Sequence, residues 1–349
     1  MKKMVRIIAA LLAMILLICC SGCKNYKPNE VVYVYNWGEY MDLSVNDLFE
    51  KETGIKVEYK TYDNNESMYA VLKNSPGVYD VVIPSDYMIA RLIQEGMLEK
   101  IDFSNVPNFQ YIMDDFKGLE YDPTNEYSVP YTWGTLGLLY NTKVVKETPA
   151  SWSVLWDEQY KGKIIMYDNS RDDMAIPLLL NGKSLNTTDE ADLRAAKDKL
   201  LEQKPLLMGY FSDQIFGIME SGSAVLAIAY AGDAITMMEE NEDLAFTVPQ
   251  EGTNRFVDAM CIVKDAPDKE AAEKYIDFLC RQDIAEMNRE FTAYSTPQSQ
   301  VKDALPDEVK NNKVAYPDND VLEKSEVYLN LPQETLELYN ELWNELKNK

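Results

Sequence analysis

Between residues 33 and 42 the chain reads YVYNWGEYMD, which sets Trp37 and Tyr40 beside Glu39 just past an apolar, strand-like run. The pairing of an aromatic ring with a carboxylate recurs at Asp86/Tyr87, Tyr230/Asp233 and Phe256/Asp258. Rings and carboxylates together suit an organic cation. A carboxylate replaces the hydration that an ammonium group loses, through charge-assisted hydrogen bonds. Methylenes pack on ring faces, and each cation over a ring gains about 0.5–2 kcal/mol. Carboxylates at fixed spacing would then measure the distance between ammonium groups, which is recognition of a diamine or polyamine by length and charge. A single pairing carries little weight in a chain with 23 tyrosines, because most tyrosines are half-buried packing residues with a wet hydroxyl. As a set at strand exits, they point to one pocket.

Other chemistries are narrowed by what the chain lacks. It contains no histidine, which removes Ser-His-Asp and Cys-His catalysis, HExxH zinc sites and most transition-metal sites. No GxGxxG, Walker A or EF-hand loop is present, so no cofactor and no metal site is expected. Two rivals stay open. Glu39 and Asp258 admit a secreted carboxylate-pair hydrolase such as a glycosidase, although no general-acid environment can be identified for either. A receptor for a sugar or for ferric ion on tyrosinates is the second; no adjacent pair of tyrosines occurs to favour iron.

The elements that must position these residues alternate. EVVYVYNW and IKVEYKTY read as strands and VNDLFEKETG as a helix ended by Gly54; ESMYAVLKN (helix), YDVVIPS (strand) and DYMIARLIQEGM (helix) follow. Such alternation predicts an α/β fold with a parallel sheet, whose ligands sit beyond the carboxyl ends of the strands. Trp37 with Glu39, and Ser85 with Asp86 and Tyr87, fall at two such ends. SVPYTWGTLGLLYN predicts a long strand crossing into a second lobe, and KGKIIMYDNSRDD a strand with Asp168, Asn169 and Asp172 at its exit. SAVLAIAYAGDAITMMEE reads as strand, turn and helix with Tyr230 and Asp233 at the junction. FTVPQEGTNRFVDAMCIVKDAP reads as two strands crossing back, and the tail PQETLELYNELWNELKNK as an amphipathic helix.

The chain opens with Lys2, Lys3 and Arg6, then 14 apolar residues from Ile7 to Cys20, then Ser21, Gly22 and Cys23. Basic residues, a short apolar run and small residues at a cut site predict a secretory signal peptide over 1–22. Ser-Gly-Cys resembles a bacterial lipobox, with Cys23 as the lipidated first residue and Cys20 standing where leucine is usual. The 349 − 22 = 327 residues that remain exceed one typical hydrophobic core and predict two lobes. The formal charge of −24 becomes −24 − 3 = −27 without the leader's three cations, which argues against a nucleic-acid partner. Cys261, in an apolar run, and Cys280, on a helix-like face, are expected as free thiols.

Five stretches carry a resemblance. YVYNWGEYMDLSVNDLFEKETGIKVEYKTYDNNESMYAVLK, YDVVIPSDYMIARLIQEGMLEKID, YDPTNEYSVPYTWGTLGLLYN, SWSVLWDEQYKGKIIMYDNSRD and AYSTPQ together resemble the spermidine/putrescine-binding proteins of bacterial ABC importers. The likeness runs in order over nearly the whole chain after the leader. It implies a type II periplasmic-binding-protein fold: two α/β lobes around a ligand cleft, joined by crossing strands, with lobe 1 at 30–134 plus 259–305 and lobe 2 at 135–258 plus 306–349. By position, it implies aromatic walls at Trp37, Tyr40, Tyr87 and Tyr294, with Tyr230 and Phe256 where tryptophan is often found. It implies acidic contacts at Glu39, Asp172 and Asp258, and a hydroxyl contact at Ser85. The chain departs from the family at Asn169, where spermidine binders carry aspartate, at Tyr328, near a usual glutamine, and at Asp233, an added carboxylate that resembles the putrescine-preferring branch. The resemblance implies no enzyme. It implies a monomeric extracytoplasmic receptor, held to the membrane by a lipid anchor, that captures spermidine or putrescine by lobe closure and delivers it to an ABC permease and its ATPase.

Overall fold

The computed structural model describes residues 30–348; the leader and Cys23 lie outside them. β1 (Val31–Trp37) is built from β-branched and aromatic residues that favour a pleated surface. α1 (Ser44–Thr53) follows and stops at Gly54, whose φ of 77° lets its N–H turn back to the Glu50 carbonyl at 2.8 Å. β2 (Lys56–Tyr62) returns parallel to β1, and α2 (Asn65–Asn74) leads to β3 (Val81–Val82), which pairs parallel to β1 on the other side. The strand expected at YDVVIPS is thus present as two residues only. α3 (Asp86–Gln94) starts directly beyond it, and β4 (Leu98–Glu99) is a short edge.

β5 (Ser128–Asn141) is the long strand expected to cross. β6 (Ile164–Tyr167), α4 (Ser170–Leu180), α5 (Glu190–Gln203), β7 (Leu207–Phe211), α6 (Ile215–Glu220), β8 (Leu226–Tyr230), α7 (Ala231–Glu240) and β9 (Leu244–Thr247) build the second half. No turn separates β8 from α7: Tyr230 ends the strand and precedes the first helical residue. β10 (Thr253–Val263) then crosses back, followed by α8 (Lys269–Leu279), α9 (Gln282–Thr292), β11 (Ser325–Glu326) and a C-terminal helix (Gln333–Asn348).

The strands follow the order β2-β1-β3-β10-β5-β8-β6-β7. Two of them belong to both halves. β5 pairs antiparallel with β10 through residues 128–135, then with β8 and β9 through residues 136–141. β10 pairs with β11 at its start, with β5 in its middle and with β3 and β4 at its end. Helices cover the faces: α8 packs on β1 and β10, and the C-terminal helix on α4 and α5.

One core lies between β1, β3 and β10 and the helices over them, around Val32, Val34, Phe49, Ile83 and Tyr275. Phe49 is fully buried, with the Tyr275 and Phe278 rings 5.1 and 5.3 Å away edge-on; burying such a side chain contributes about 1.5–3 kcal/mol. A second, larger core runs through Leu136, Leu138, Ile164, Leu193, Leu226 and Leu342. A third cluster, Tyr40, Phe256 and Tyr294, sits between them and belongs to the site. Cys261 and Cys280 are buried free thiols.

Candidate functional site

A cavity of about 110 Å³ lies at the junction of the two halves. Thirteen of the fourteen site residues expected from the sequence line it: Trp37, Glu39, Tyr40, Ser85, Tyr87, Asn169, Asp172, Tyr230, Asp233, Phe256, Asp258, Tyr294 and Tyr328. Eleven come from the carboxyl ends of β1, β6 and β8, the starts of α3, α4 and α7, and the middle of β10, while Tyr294 follows α9 and Tyr328 follows β11 (Ser325–Glu326). The alternation argument accounts for this: a parallel strand releases its chain at one edge of the sheet, and the helix that follows begins there.

Asp86 stands apart. Its side chain is buried behind the wall, where Oδ1 accepts the Tyr87 N–H at 2.7 Å and Oδ2 the Val257 N–H at 3.2 Å. A carboxylate in the first turn of a helix meets unpaired amides there; here the helix supplies the Tyr87 N–H, and strand β10 supplies the Val257 N–H to the other oxygen. Burial pushes the carboxyl up to about 8, against the pull of the two amides.

Three carboxylates inside the cavity are each held by tyrosine hydroxyls. Tyr40 donates to Asp258 Oδ2 at 2.6 Å. Tyr294 donates to Asp233 Oδ1 at 2.7 Å and Tyr167 to Asp233 Oδ2 at 3.1 Å. Tyr230 donates a short hydrogen bond to Asp172 Oδ2, and Tyr328 donates to Asp172 Oδ1 at 3.0 Å. Burial pushes all three carboxyls up to about 6, with the hydroxyls pulling the other way. The three differ in one respect. Asp172 and Asp233 have both oxygens on tyrosine hydroxyls, while Asp258 has one tyrosine partner, the Ser85 hydroxyl beside its carboxylate, and no well-aligned hydrogen bond to Oδ1 from any described residue.

The rings form a continuous wall. Trp37 is fixed by its Nε1–H on the Ile83 carbonyl at 2.9 Å and meets Tyr40 at 6.3 Å between centroids. Tyr40 meets Tyr294 edge-on at 5.3 Å, Tyr294 meets Phe256 at 5.9 Å, Phe256 meets Tyr230 at 5.3 Å, and Tyr230 stacks on Tyr167 at 4.9 Å. Gly232 makes room for this: a Cβ there would lie 2.4 Å from the Tyr294 ring. Tyr87 closes another side, donating to Glu66 at 2.9 Å and accepting from Asn65 at 3.1 Å. Ser85 Oγ also accepts from Asn65, at 3.1 Å. Asn169 caps α4, its Oδ1 accepting the Arg171 and Asp172 N–H groups at 3.0 and 3.5 Å. Glu39 sits exposed at the mouth with a left-handed φ of 46°.

The sequence reading passed over several wall residues. Tyr167 ends β6 and was hidden among 23 tyrosines. Asp213 lies beyond β7, which the reading did not place, and reaches to 2.8 Å from where a Cβ of Gly38 would be, across the cavity mouth. Asn254 is neutral and escaped a search for charges, though it shares the alternation of Phe256 and Asp258. Arg171 is buried and caged by three rings, its guanidinium carbon 4.4 Å from the Tyr328 centroid, 5.2 Å from Tyr87 and 5.4 Å from Tyr339.

Among the described residues the lining carries seven carboxylates, Glu39, Asp63, Asp168, Asp172, Asp213, Asp233 and Asp258, and one cation, Arg171. Lys347 of the C-terminal helix pairs with Asp168 at 2.8 Å. The balance is strongly negative, so the cavity suits a cation with an apolar body. No helix among the described residues is long and apolar enough to cross a membrane.

Comparison with known proteins gives the family. The model of the family of bacterial extracellular solute-binding proteins matches residues 46–316. The spermidine/putrescine-binding periplasmic protein of Escherichia coli K12 is 34% identical over 328 residues, 93% of this chain and 94% of its own. Among solved structures, the spermidine/putrescine ABC transporter substrate-binding protein of Streptococcus pneumoniae superposes with a TM-score of 0.78 at 35% identity, covering 92% of this chain and 99% of that one. A lipoprotein of Treponema pallidum superposes with a TM-score of 0.81 at 28% identity, covering 92% and 100%. The type II periplasmic-binding-protein architecture, two α/β lobes joined by crossing strands, is shared with these structures. A chain matched over most of its length by the family model, and with relatives above 30% identity across nearly all of it, belongs to the bacterial extracellular solute-binding proteins, which bind solutes and are not enzymes.

Proposed function

We propose that the protein is the extracytoplasmic receptor of an ABC importer and that its ligand is a polyamine, spermidine or putrescine. The observation that carries this reading is the buried carboxylate of Asp258, with one oxygen held by Tyr40 and the other without a well-aligned hydrogen bond from any described residue, inside a wall of aromatic rings. A buried anion is costly unless something pairs with it, and an alkyl ammonium supplies both the charge and the methylenes that rings prefer. The names of the Escherichia coli and Streptococcus pneumoniae relatives support the same ligand class.

The fourteen residues expected as contacts keep unequal weight in this proposal. Asp258 would bind an ammonium group directly, Asp172 and Asp233, whose oxygens are held by tyrosines, would add negative charge from the wall, and Trp37, Tyr40, Tyr87, Tyr230, Phe256, Tyr294 and Tyr328 would pack on methylenes. Glu39, Ser85 and Asn169 would add polar contacts, and Asp86 would act from behind the wall. The lobes would be 30–134 plus 259–305 and 135–258 plus 306–349; the change of partner along β5 from β10 to β8 supports a division there. Ligand contacts made on both lobes would stabilise the closed form, which the permease distinguishes. The Ser-Gly-Cys signal and the likeness to a Treponema pallidum lipoprotein support removal of 1–22 and a lipid anchor on Cys23. We take the receptor to be a monomer.

Isothermal titration of a soluble form beginning at Lys24 with putrescine, cadaverine, spermidine and spermine tests the reading. One-to-one binding of at least one amine, lost in Asp258→Ala, is expected. No heat and no thermal shift with any of the four would overturn it. Expression of the full chain with Cys23→Ser should move the protein from the membrane to the soluble fraction; an unchanged distribution would overturn the anchor.

A further inference from the structure

Of the seven carboxylates that line the cavity, Asp168 is the one that has a lysine or arginine within ion-pair distance among the described residues. It follows β6 directly, and its Oδ1 accepts from the Lys347 ammonium at 2.8 Å. Lys347 stands in the last turn of the C-terminal helix. Its ammonium also lies over two rings, 4.5 Å from the Tyr210 centroid and 5.4 Å from that of Trp343, and these rings meet edge-on at 5.5 Å. Lys204 fixes the end of the helix, its ammonium donating to the Leu346 carbonyl at 2.7 Å and to the Lys347 carbonyl at 3.1 Å.

A carboxylate with aromatic faces beside it is the environment that suits an amine. Here the chain fills it with an alkyl ammonium of its own. Because that ammonium is tethered, it meets Asp168 at an effective concentration of about millimolar or more, which a dilute ligand amine does not match. The corner is crowded with carboxyl groups. Asp173, fully buried directly after Asp172, has its carboxyl pushed well above the usual range by burial and then by Asp172 and Asp168, with Lys347 pulling the other way. Lys347 is thus the local counter-charge of the β6 end of the cavity.

We infer that Lys347 is a specificity residue: by holding Asp168 it withdraws one carboxylate from the cavity and so limits how many ammonium groups of a ligand the receptor can pair. The inference rests on the polyamine reading above. Specificity of this kind comes from a contact withheld rather than from one added. A diamine brings two ammonium groups, and the lining carboxylates that no lysine holds suffice for both. A triamine or tetramine brings a further one, for which Asp168 would be a partner if Lys347 did not already occupy it. Releasing Asp168 should therefore favour extra amine charge, not extra length. A lysine that only anchored the helix to the wall would give no such dependence on the ligand.

The test is calorimetric titration of wild type, Lys347→Met and the double variant Lys347→Met/Asp168→Asn with putrescine, 1,8-diaminooctane, spermidine and spermine at fixed salt. Methionine keeps an unbranched apolar stem and removes the charge; 1,8-diaminooctane matches the span of spermidine without its central amine. Lys347→Met should tighten spermidine and spermine about three- to fivefold, the range for a partly exposed ion pair, and leave the two diamines within about twofold. In the double variant, which removes both charges, the gain should vanish and spermidine should return to within about twofold of wild type. Equal change for all the amines, unchanged or weaker binding of spermidine in Lys347→Met, or a gain that persists without the Asp168 carboxylate would overturn the inference while wild-type binding kept the polyamine reading intact. Absence of wild-type binding to every amine would overturn that reading and this inference with it. If Lys347→Met fails to melt cooperatively, Lys347→Gln takes its place and is judged by the same outcomes.

Discussion

Asp172 and Asp258 are buried to nearly the same extent, 1% and 3% exposed, and burial pushes both carboxyls up to about 6. They are wired differently. Asp172 sits in the first turn of α4, where Asn169 caps the helix, and its two oxygens accept from Tyr230 and Tyr328. Asp258 sits on a strand, accepts from the Tyr40 hydroxyl with Ser85 beside it, and has no well-aligned hydrogen bond on Oδ1 from any described residue. The difference teaches that burial and acidity do not identify a ligand contact. What distinguishes the two is the count of lone pairs the chain leaves unused: Asp172 ties tyrosine walls together, and Asp258 keeps acceptor capacity that the proposed amine would use.

The largest effect should come from breaking the open node. Asp258→Asn removes the charge and keeps the shape, and losing one partner of a buried charged pair costs about 2–5 kcal/mol, so amine affinity should fall by at least about 30-fold. Titration calorimetry measures it, and a loss under threefold would contradict the assignment. Gly232→Ala attacks the wall from behind, since its Cβ would sit 2.4 Å from the Tyr294 ring. Overpacking of this kind costs about 1–3 kcal/mol; melting temperature should drop, and affinity should fall about tenfold as Tyr294 and its bond to Asp233 shift.

Acidity sharpens the comparison, because ligand affinity and stability should respond to pH with opposite signs. Asp172, Asp233 and Asp258 carry charge only above about 6, so amine affinity should fall about tenfold or more between pH 7 and pH 5. For stability, the folded chain holds these protons up to about 6 while the unfolded chain releases them near 4. The folded state therefore binds more protons in that window, and the contribution of these groups to stability falls as pH rises from about 4 to about 6. The melting difference between wild type and Asp172→Asn, followed across that window in the absence of amine, should narrow or invert as pH rises; a difference independent of pH would contradict it. Asp172→Asn should have the smallest effect on affinity, about three- to fivefold, and a visible one on stability, because it weakens bonds to two tyrosines rather than to the ligand.

Much of the site was legible. Rings beside carboxylates at strand exits pointed to Trp37, Glu39, Tyr40, Tyr87, Tyr230, Asp233, Phe256 and Asp258, all of which line one cavity, whereas Tyr294 and Tyr328 came from the resemblance alone. Asp86 shows the limit of that logic: a carboxylate at the start of a helix serves either the cavity or nearby backbone amides, here those of Tyr87 and of Val257 on β10, and only geometry tells which. α4 was missed because Pro177 lies inside it and eight of its other residues are buried, so it shows neither a helical stripe nor a clean propensity. Asn254 was missed because a neutral amide has no charge to search for.

β10 carries Asp258 and Phe256, and together with β5 it joins the two halves. When two bodies turn about an axle, points on the axle travel least and points at the rim travel farthest. If the halves close about β5 and β10 as proposed, a grip on Asp258 would exert almost no torque. The leverage would then belong to the mouth, where Glu39 lies on one side and Asp213 reaches toward Gly38 from the other. A ligand cut down until it satisfies only the strand would be held firmly and would leave the halves unturned: occupied, and silent to whatever reads the shape.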